Sequence, residues 1–426
     1  MKKKMLSLLM AGVMVLSLFG CGSKGEEAGK SATQSEPAAD TGTPADNADT
    51  AGEKDTEDKG IDGKTEGKDT LSAEGMGGYK IGFFYLPASD KTSQAFRDAL
   101  DYCAKLTNCE MEYYDMTAFS SEDISTAFET LVSNGCDGIV SVLGSSPALY
   151  EYLNENEVYY VGLTRSYTEE LAKVVDASDF CAGWVGDLGG EEGVNFQNGY
   201  DLAQVLVKDG CKKIAVIGGS EGETMNDERV AGVEAAAAEA GMEVLATYRG
   251  SDAATGFSDI LAAYGNDLDG IAWTGGGDQG VAAIQSAGLS GKVKLVQIDA
   301  ASETREYMEA GLLAGTLAGG TTYMMGAYMQ LFNAMSGADR LFNEGSKIVP
   351  QFNGFVVSSV DEWDLAEYCT MGEVPGGILP DELLSLNSLC NPGMSVEERE
   401  QLLKDYQNPE YWNVTAINER VSAYLK

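Results

Sequence analysis

The sequence predicts an α/β protein built from two Rossmann-like domains with parallel sheets. Three observations carry that prediction. From Tyr79 onward, short apolar segments alternate with amphipathic stretches of helical period, the pattern of parallel strands covered by helices on both faces. The body from Tyr79 to Lys426 has 348 residues, enough for two domains with cores of their own. Two of its segments rhyme: VSNGCDGIVSV at 132–142 and VKDGCKKIAVI at 207–217 share a turn, a cysteine and an apolar strand, so one kind of unit is used twice.

The chain opens with MKKKMLSLLMAGVMVLSLFGC: three lysines, an apolar run from Met5 to Phe19, a glycine and Cys21. That run is too short for the roughly 30 Å hydrocarbon core and reads as a secretory signal. Leu18-Phe19-Gly20-Cys21 resembles the bacterial lipoprotein cleavage box, which implies cleavage before Cys21 and a lipid anchor on it, outside the cell membrane. Residues 22–78 are nearly free of large apolar side chains and hold 14 acids and 6 bases, so they are expected to form a disordered acidic tether.

In the body, YKIGFFYLP, MEYYDM, DGIVSV and VYYVGLT read as strands. Helices fall between them: SQAFRDALDYCAKLT aligns Phe96, Leu100, Cys103 and Leu106, and DISTAFETLVSNG aligns Ile124, Phe128, Leu131 and Val132. The second series starts near Trp184 with helix GYDLAQVLVKDG. Strands KKIAVIGGS, MEVLATYR, DGIAWTG and VKLVQID then alternate with helices DERVAGVEAAAAEAG, FSDILAAYG and DQGVAAIQSAG. TTYMMGAYMQLFNAMSG puts Met325, Tyr328, Leu331, Phe332 and Met335 on an apolar helical face, core rather than cofactor site. IVPQFNGFVVSSVDEW is an extended return, and Ser395 with Glu398 has the spacing of a capping box that opens a helix in a C-terminal extension, residues 367–426.

Composition excludes several functions. The chain holds 67 acids against 29 bases, and the body alone carries −33, with no basic stripe for a nucleic-acid backbone. Histidine is absent, and the eight cysteines include no Cys-x-x-Cys pair, which removes a Ser-His-Asp triad and the usual zinc sites. Cys21 aside, seven cysteines remain. They suit buried thiols, with Cys369–Cys390 and Cys103–Cys109 as pairs that an oxidising compartment would bridge; sequence leaves the pairing open.

Residues 273–280, WTGGGDQG, place Gly275, Gly277 and Gly280 in a dinucleotide-type pattern, with Asp299 ending the next strand 24 residues after Gly275. Any strand-helix-strand unit of this size gives that spacing, and such a site belongs in the first unit of a domain. The stretch is therefore expected to be a loop whose amides face the ligand cleft, and no cofactor is expected. GGSEGET at 218–224 lacks the Gly-Lys-Ser/Thr ending of a phosphate loop.

A leader, a tether and two such halves resemble the substrate-binding lipoproteins of sugar-type ABC transporters, the ribose-binding protein and lactose-repressor-like group. The stretches that carry the resemblance are RVAGVEAAAAEAG at 229–241, VQIDAASETREYMEAGLLAGTLAG at 296–319 and YMMGAYMQLFNAMSG at 323–337. It covers roughly Tyr79 to Trp363 and implies the type I periplasmic binding protein fold. The chain would cross three times between lobes, near Cys181, Leu317 and Ile348. The lobes would be 79–181 plus 318–347 and 182–317 plus 348–366, closing over a ligand at the strands' carboxyl ends.

Carried over residue by residue, the resemblance implies a site of Thr164, Arg165, Arg229, Phe257, Trp273, Thr274 and Asp299. Arg165 and Arg229 would bond hydroxyls, Asp299 would accept them, and Phe257 would cover a sugar face. Thr164 stands where sugar binders have an aspartate, Trp273 or Thr274 where they have an asparagine, and Gly319 where they have a glutamine. Leu143 replaces a polar residue, and ASDKTSQAF replaces an Asn-Pro-Phe-Phe loop. Taken alone, Arg229 also fits a solvated first-turn charge, Asp299 a helix cap, and Trp273 strand core.

The implied function is capture of a small polar solute, a sugar first, and its delivery to a membrane permease by a monomer with no nucleic-acid partner. The alternatives are a ligand-sensing receptor of the same fold, a binder of a nucleoside or autoinducer, and a lipid-anchored carbohydrate enzyme. The last needs a carboxylate pair across a groove, such as Asp187 with Glu191 or Asp278 with Asp299. A transcription regulator of this fold would carry a DNA-binding helix pair where this chain carries a leader.

Overall fold

The computed structural model describes residues 71–117, 120–144, 146–163, 168–186, 193–299, 303–341, 347–350, 354–371, 373–406, 408, 410, 411 and 413–426. The leader, Cys21 and most of the expected tether lie outside these.

The chain begins as expected: β1 (Lys80–Tyr85), α1 (Lys91–Thr107), β2 (Glu110–Asp115), α2 (Ser121–Ser133), β3 (Gly138–Ser141), α3 (Pro147–Glu155), β4 (Tyr159–Leu163), α4 (Glu169–Val175) and β5 (Cys181–Gly186). It continues through α5 (Val194–Lys208), β6 (Lys213–Gly218), α6 (Thr224–Ala240), β7 (Glu243–Arg249), α7 (Ala253–Tyr264), β8 (Gly270–Trp273), α8 (Gln279–Ser286), β9 (Lys294–Ile298), α9 (Thr304–Glu309) and β10 (Gly315–Ala318). Last come α10 (Gly320–Ser336), β11 (Ile348–Pro350), β12 (Phe355–Val357), α11 (Val360–Met371), a 3-10 turn at Pro375–Gly377, α12 (Pro380–Ser385), α13 (Val396–Asp405) and α14 (Val414–Tyr424).

Two six-stranded sheets result, in the orders β11-β5-β4-β3-β1-β2 and β12-β10-β9-β8-β6-β7. Every pair is parallel except β10 with β12. In each sheet the order reverses beside its first strand, β1 or β6, which opens a crevice at the carboxyl ends. β3 and β8 are buried along their whole length because helices cover both faces. Side chains cap some of the helices: Asp90 Oδ1 accepts the Ser93 amide at 2.8 Å to start α1, and Asn413 Oδ1 accepts that of Ala416 at 2.9 Å to start α14.

The sheet assignment moves two boundaries read from sequence. CAGWVG, expected at a crossing near Cys181, is the strand β5 of the first sheet, so the crossing follows Gly186. Apolar alternation is weak there because two of its six residues are glycine. Ile348–Pro350 likewise pairs with β5, which places the third crossing between Pro350 and Phe355 rather than at Ile348. The second crossing lies at Gly319, close to the expected Leu317. Tether character ends before residue 78: Ala73 is buried, the Leu71 amide donates to Asp381 Oδ1 at 3.3 Å, and Gly78 N donates to Asn108 O at 2.7 Å.

The amphipathic reading of α10 is also incomplete, since every residue from Thr321 to Ala334 is buried. The reason is the C-terminal extension. Its 3-10 turn and α12 pack on α10, and Val374, Ile378, Leu383, Leu384, Val414, Ile417 and Val421 join the apolar core of the first lobe. A helix buried all round is apolar all round. Asn333 inside it is paired: its Nδ2 donates to Leu386 O at 2.9 Å, and Asn387 Nδ2 donates to its Oδ1 at 2.8 Å. The expected capping box exists, with Ser395 N donating to Glu398 Oε2 at 2.7 Å and Glu398 N to Ser395 Oγ at 3.2 Å. Among the described cysteines, Cys103, Cys109, Cys136, Cys181, Cys211 and Cys390 are free thiols; the side chain of Cys369 is not described.

Replacing Asn333 by leucine would leave Leu386 O buried without its donor, at about 1–3 kcal/mol, and the Asn387 amide with Ser336 Oγ, at 3.2 Å, as its remaining acceptor. Asn333→Leu is expected to lower the urea midpoint and to make the extension the first segment released by limited proteolysis. An unchanged digestion pattern would contradict this packing.

Candidate functional site

The candidate site lies where the carboxyl ends of the two sheets approach each other. Its second-lobe half depends on how closely α5 and α6 pack. A Cβ on Gly199 would stand 2.0 Å from Arg229 O, and one on Gly232 would stand 2.0 Å from Phe196 O, so the two helices touch through their main chains. That contact buries Arg229, which is 7% exposed. Its Nε donates to Asn195 Oδ1 at 3.3 Å and its Nη1 to Thr274 O at 3.2 Å, and Nη2 has no acceptor among the described residues. The charge is no solvated surface group.

Asp299 ends β9 in the left-handed region, at φ 66°, which an aspartate tolerates better than most residues. The main chain holds it there: its amide donates to Leu317 O at 3.0 Å, and its carbonyl accepts from Thr316 Oγ1 at 2.9 Å and Gln297 Nε2 at 3.2 Å. Its carboxylate has no hydrogen bond or salt bridge among the described residues. It does not cap α9, whose N-cap is Glu303. Burial raises the Asp299 pKa; Arg229 opposes that rise and the Asp90 carboxylate adds to it.

The first lobe brings side chains that sequence did not single out as site residues: Tyr85 at the end of β1, Asp90 in the ASDKTSQAF loop, Phe96 on α1 and Tyr323 on α10. A methyl group on Gly320 would lie 3.2 Å from the Tyr323 hydroxyl, 3.5 Å from the Phe96 ring and 3.6 Å from Asp299 Oδ1. Tyr85 and Phe96 pack edge to face at 5.4 Å. Burial, with the charge of Asp299, pushes the Tyr323 hydroxyl well above the ordinary tyrosine range, so it stays protonated. Asp90 was readable as an N-cap following a strand, whereas Tyr323 was hidden inside the methionine-rich helix.

The carried-over residues divide. Arg229 and Asp299 come together, and Thr274 joins them only as the carbonyl that receives Arg229; its own side chain is buried, with Oγ1 donating to Ile217 O at 3.5 Å. Trp273 is 7% exposed and stands edge-on to Phe257 at 5.2 Å. Phe257 is wholly buried among Ile217, Ile260, Ile271 and Leu295, so it supports Trp273 from behind and offers no ring face to a ligand. Thr164, Arg165, Asp187 and Glu191 lie outside the described residues. Asp278 is exposed and accepts the Tyr307 hydroxyl at 3.3 Å, an environment unlike that of Asp299, so the two do not form a matched carboxylate pair. Leu143 is buried core.

The glycines of WTGGGDQG serve close packing. A Cβ on Gly276 would meet Ile298 O at 2.1 Å and Asp299 Cβ at 2.8 Å, so the loop lies directly on the end of β9. It braces Asp299.

Comparison with known proteins concerns the fold. Residues 187–338 match the family model described as a periplasmic binding protein domain, a match that begins where the chain leaves the first sheet. Solved structures share the architecture. The binding component of the arabinose ABC transporter of Shewanella sp. ANA-3 has 18% identity and a TM-score of 0.53, over 68% of this chain and 94% of its own. A periplasmic solute-binding protein of Actinobacillus succinogenes with bound D-allose has 17% identity and a TM-score of 0.55, over 67% and 99%. This is the type I periplasmic binding protein fold. A periplasmic ribose ABC transporter protein of Conexibacter woesei has the same periplasmic binding protein architecture at 16% identity and a TM-score of 0.51, over 70% and 96%. No curated protein matches the sequence. Among the described residues no helix is long and apolar enough to cross a membrane, and no cluster of three potential metal ligands occurs.

In this periplasmic binding protein fold the raised pKa of Asp299 has a consequence for stability. Above its folded pKa the desolvated charge costs stability, and that cost is lost as pH falls through the folded value. Asp299→Asn is therefore expected to raise the melting temperature of the ligand-free protein at pH 7–8, with the gain shrinking as pH falls toward about 4, the unfolded aspartate value. A lowered melting temperature at pH 7 would show that the carboxylate is a structural partner.

Proposed function

We propose that this chain is an extracytoplasmic solute-binding protein that captures a small polar ligand, a sugar first, between its lobes and delivers it unaltered to an ABC permease. The observation that carries the reading is that Asp299 and Arg229 come together at the sheets' carboxyl ends, where among the described residues the carboxylate has no hydrogen-bond partner and the guanidinium fork is only partly used. A carboxylate accepts two hydroxyl protons and a guanidinium donates in a fixed plane, the complement of vicinal hydroxyls. Tyr85, Phe96 and Trp273 supply apolar surface for the carbon face of a ring. Arabinose and allose, named for proteins of this fold, set the first candidates.

Anchoring through a lipidated Cys21, with the acidic tether as spacer, accounts for the leader and the low-complexity run and would keep the protein at the outer face of the membrane. The protein would act as a monomer. The reading is of binding rather than turnover: among the described residues of the cleft no nucleophile is paired with a base.

The test is a thermal-shift screen of the protein against pentoses, hexoses, nucleosides and amino acids. A ligand at about a hundredfold over its dissociation constant adds roughly 2.7 kcal/mol, enough to raise the melting temperature by several degrees. One class of polyhydroxylated ligand is expected to give that rise. Asp299→Ala and Arg229→Ala are each expected to weaken its binding about tenfold or more, since a lost hydrogen bond to a charged group is worth about 1.5–3 kcal/mol. Unchanged affinity in both variants would place the site elsewhere.

A further inference from the structure

The C-terminal extension makes a fourth passage between the lobes. β12 belongs to the second sheet, and the chain then runs through α11 to a 3-10 turn, α12 and α14 packed on the first lobe. Along that path the two ends of the extension are held very differently. On the first lobe the hold is extensive and buried: the Asn333–Asn387 network, Tyr102 Oη donating to Ile378 O at 3.3 Å, and a run of apolar side chains in the common core.

On the second lobe α11 and α14 meet β12, whose Phe355 and Val357 are buried in the same core, and α11 lies against α9, where Arg305 pairs with Asp364 and, at 3.2 Å, with Glu309 of its own helix. The Arg305 and Asp364 side chains are 40% and 45% exposed. Met308 of α9 is half-buried and touches apolar side chains of both lobes, while Trp363 of α11, one residue before Asp364, is buried in the first-lobe core. Of the extension's contacts with the second lobe, the buried one is with β12 beside the crossing, and the half-exposed one, α11 on α9, is the one that gives way first.

We propose that the α11–α9 contact is a latch: the extension, fixed to the first lobe, holds the second lobe near it without ligand and thereby sets the balance between open and closed forms. This rests on the proposed function only in taking the lobes to move about the crossings. Domains joined by extended crossings are expected to hinge, and a small, half-exposed contact is the kind that breaks and reforms as they do. The latch needs no ligand.

The test uses the whole chain with spin labels at Glu129→Cys on α2 and Ala238→Cys on α6, both exposed, corrected against the protein without these cysteines. Interlobe distances are measured by double electron–electron resonance without ligand. Asp364→Arg, which sets like charges together, is expected to enrich the longer distances, by up to about fivefold in population for a surface pair. Arg305→Glu combined with Asp364→Arg should restore the original distribution. Identical distributions in all three proteins, a shift to shorter distances, or a double variant as displaced as the single one would each overturn the latch. The measurement uses no sugar, so the latch and the ligand-binding reading can fail separately.

Discussion

The fold depends on two crossings that pass each other in main-chain contact. A Cβ on Gly319 would stand 3.0 Å from Gly354 Cα, and one on Gly354 would stand 2.6 Å from Ala318 O. Gly319 also takes φ 102°, a conformation that side chains oppose. Much follows from that contact. It ends β10 in one lobe, begins α10 in the other, brings Gly320 beside the Asp299 carboxylate, and turns the returning chain into β12 and the extension.

The site is assembled from parts whose restraints differ. Arg229 is fixed by helix packing through Gly199 and Gly232, Asp299 by main-chain hydrogen bonds in a strained conformation, and Trp273 by the Phe257 ring behind it. Each is held by groups that would not touch a ligand, the arrangement that lets a binding surface keep its shape before anything binds. The Asp299 carboxylate is half-buried and has no hydrogen-bond donor among the described residues, which is intelligible in an acceptor that awaits its donor.

Sequence reading reached the architecture because strand and helix periods are local. The alternating segments and the Ser395–Glu398 cap were legible for that reason, whereas Arg229 and Asp299 came from the family resemblance and stand as part of the proposed site. What it missed depends on tertiary neighbours. CAGWVG has too little alternation to stand out as a strand until β4 and β11 flank it. The burial of α10 on every side is invisible without the extension that covers it. Phe257 had the right residue type for a sugar face, but the α7 packing turns it into the core. Gly319 was legible as a departure from the sugar-binding pattern. Its reason, a crossing too tight for any side chain, is geometric.

The central claim is that one ligand occupies a cleft built on Asp299 and Arg229 and leaves it unchanged. The most direct measurement is native mass spectrometry of the protein with the sugar that stabilises it, followed by recovery of the ligand. The account predicts one ligand per chain, its mass unaltered on release, and loss of the bound species in the Asp299→Ala, Arg229→Ala double variant. Full occupancy in that variant, or a released ligand of altered mass, would contradict it.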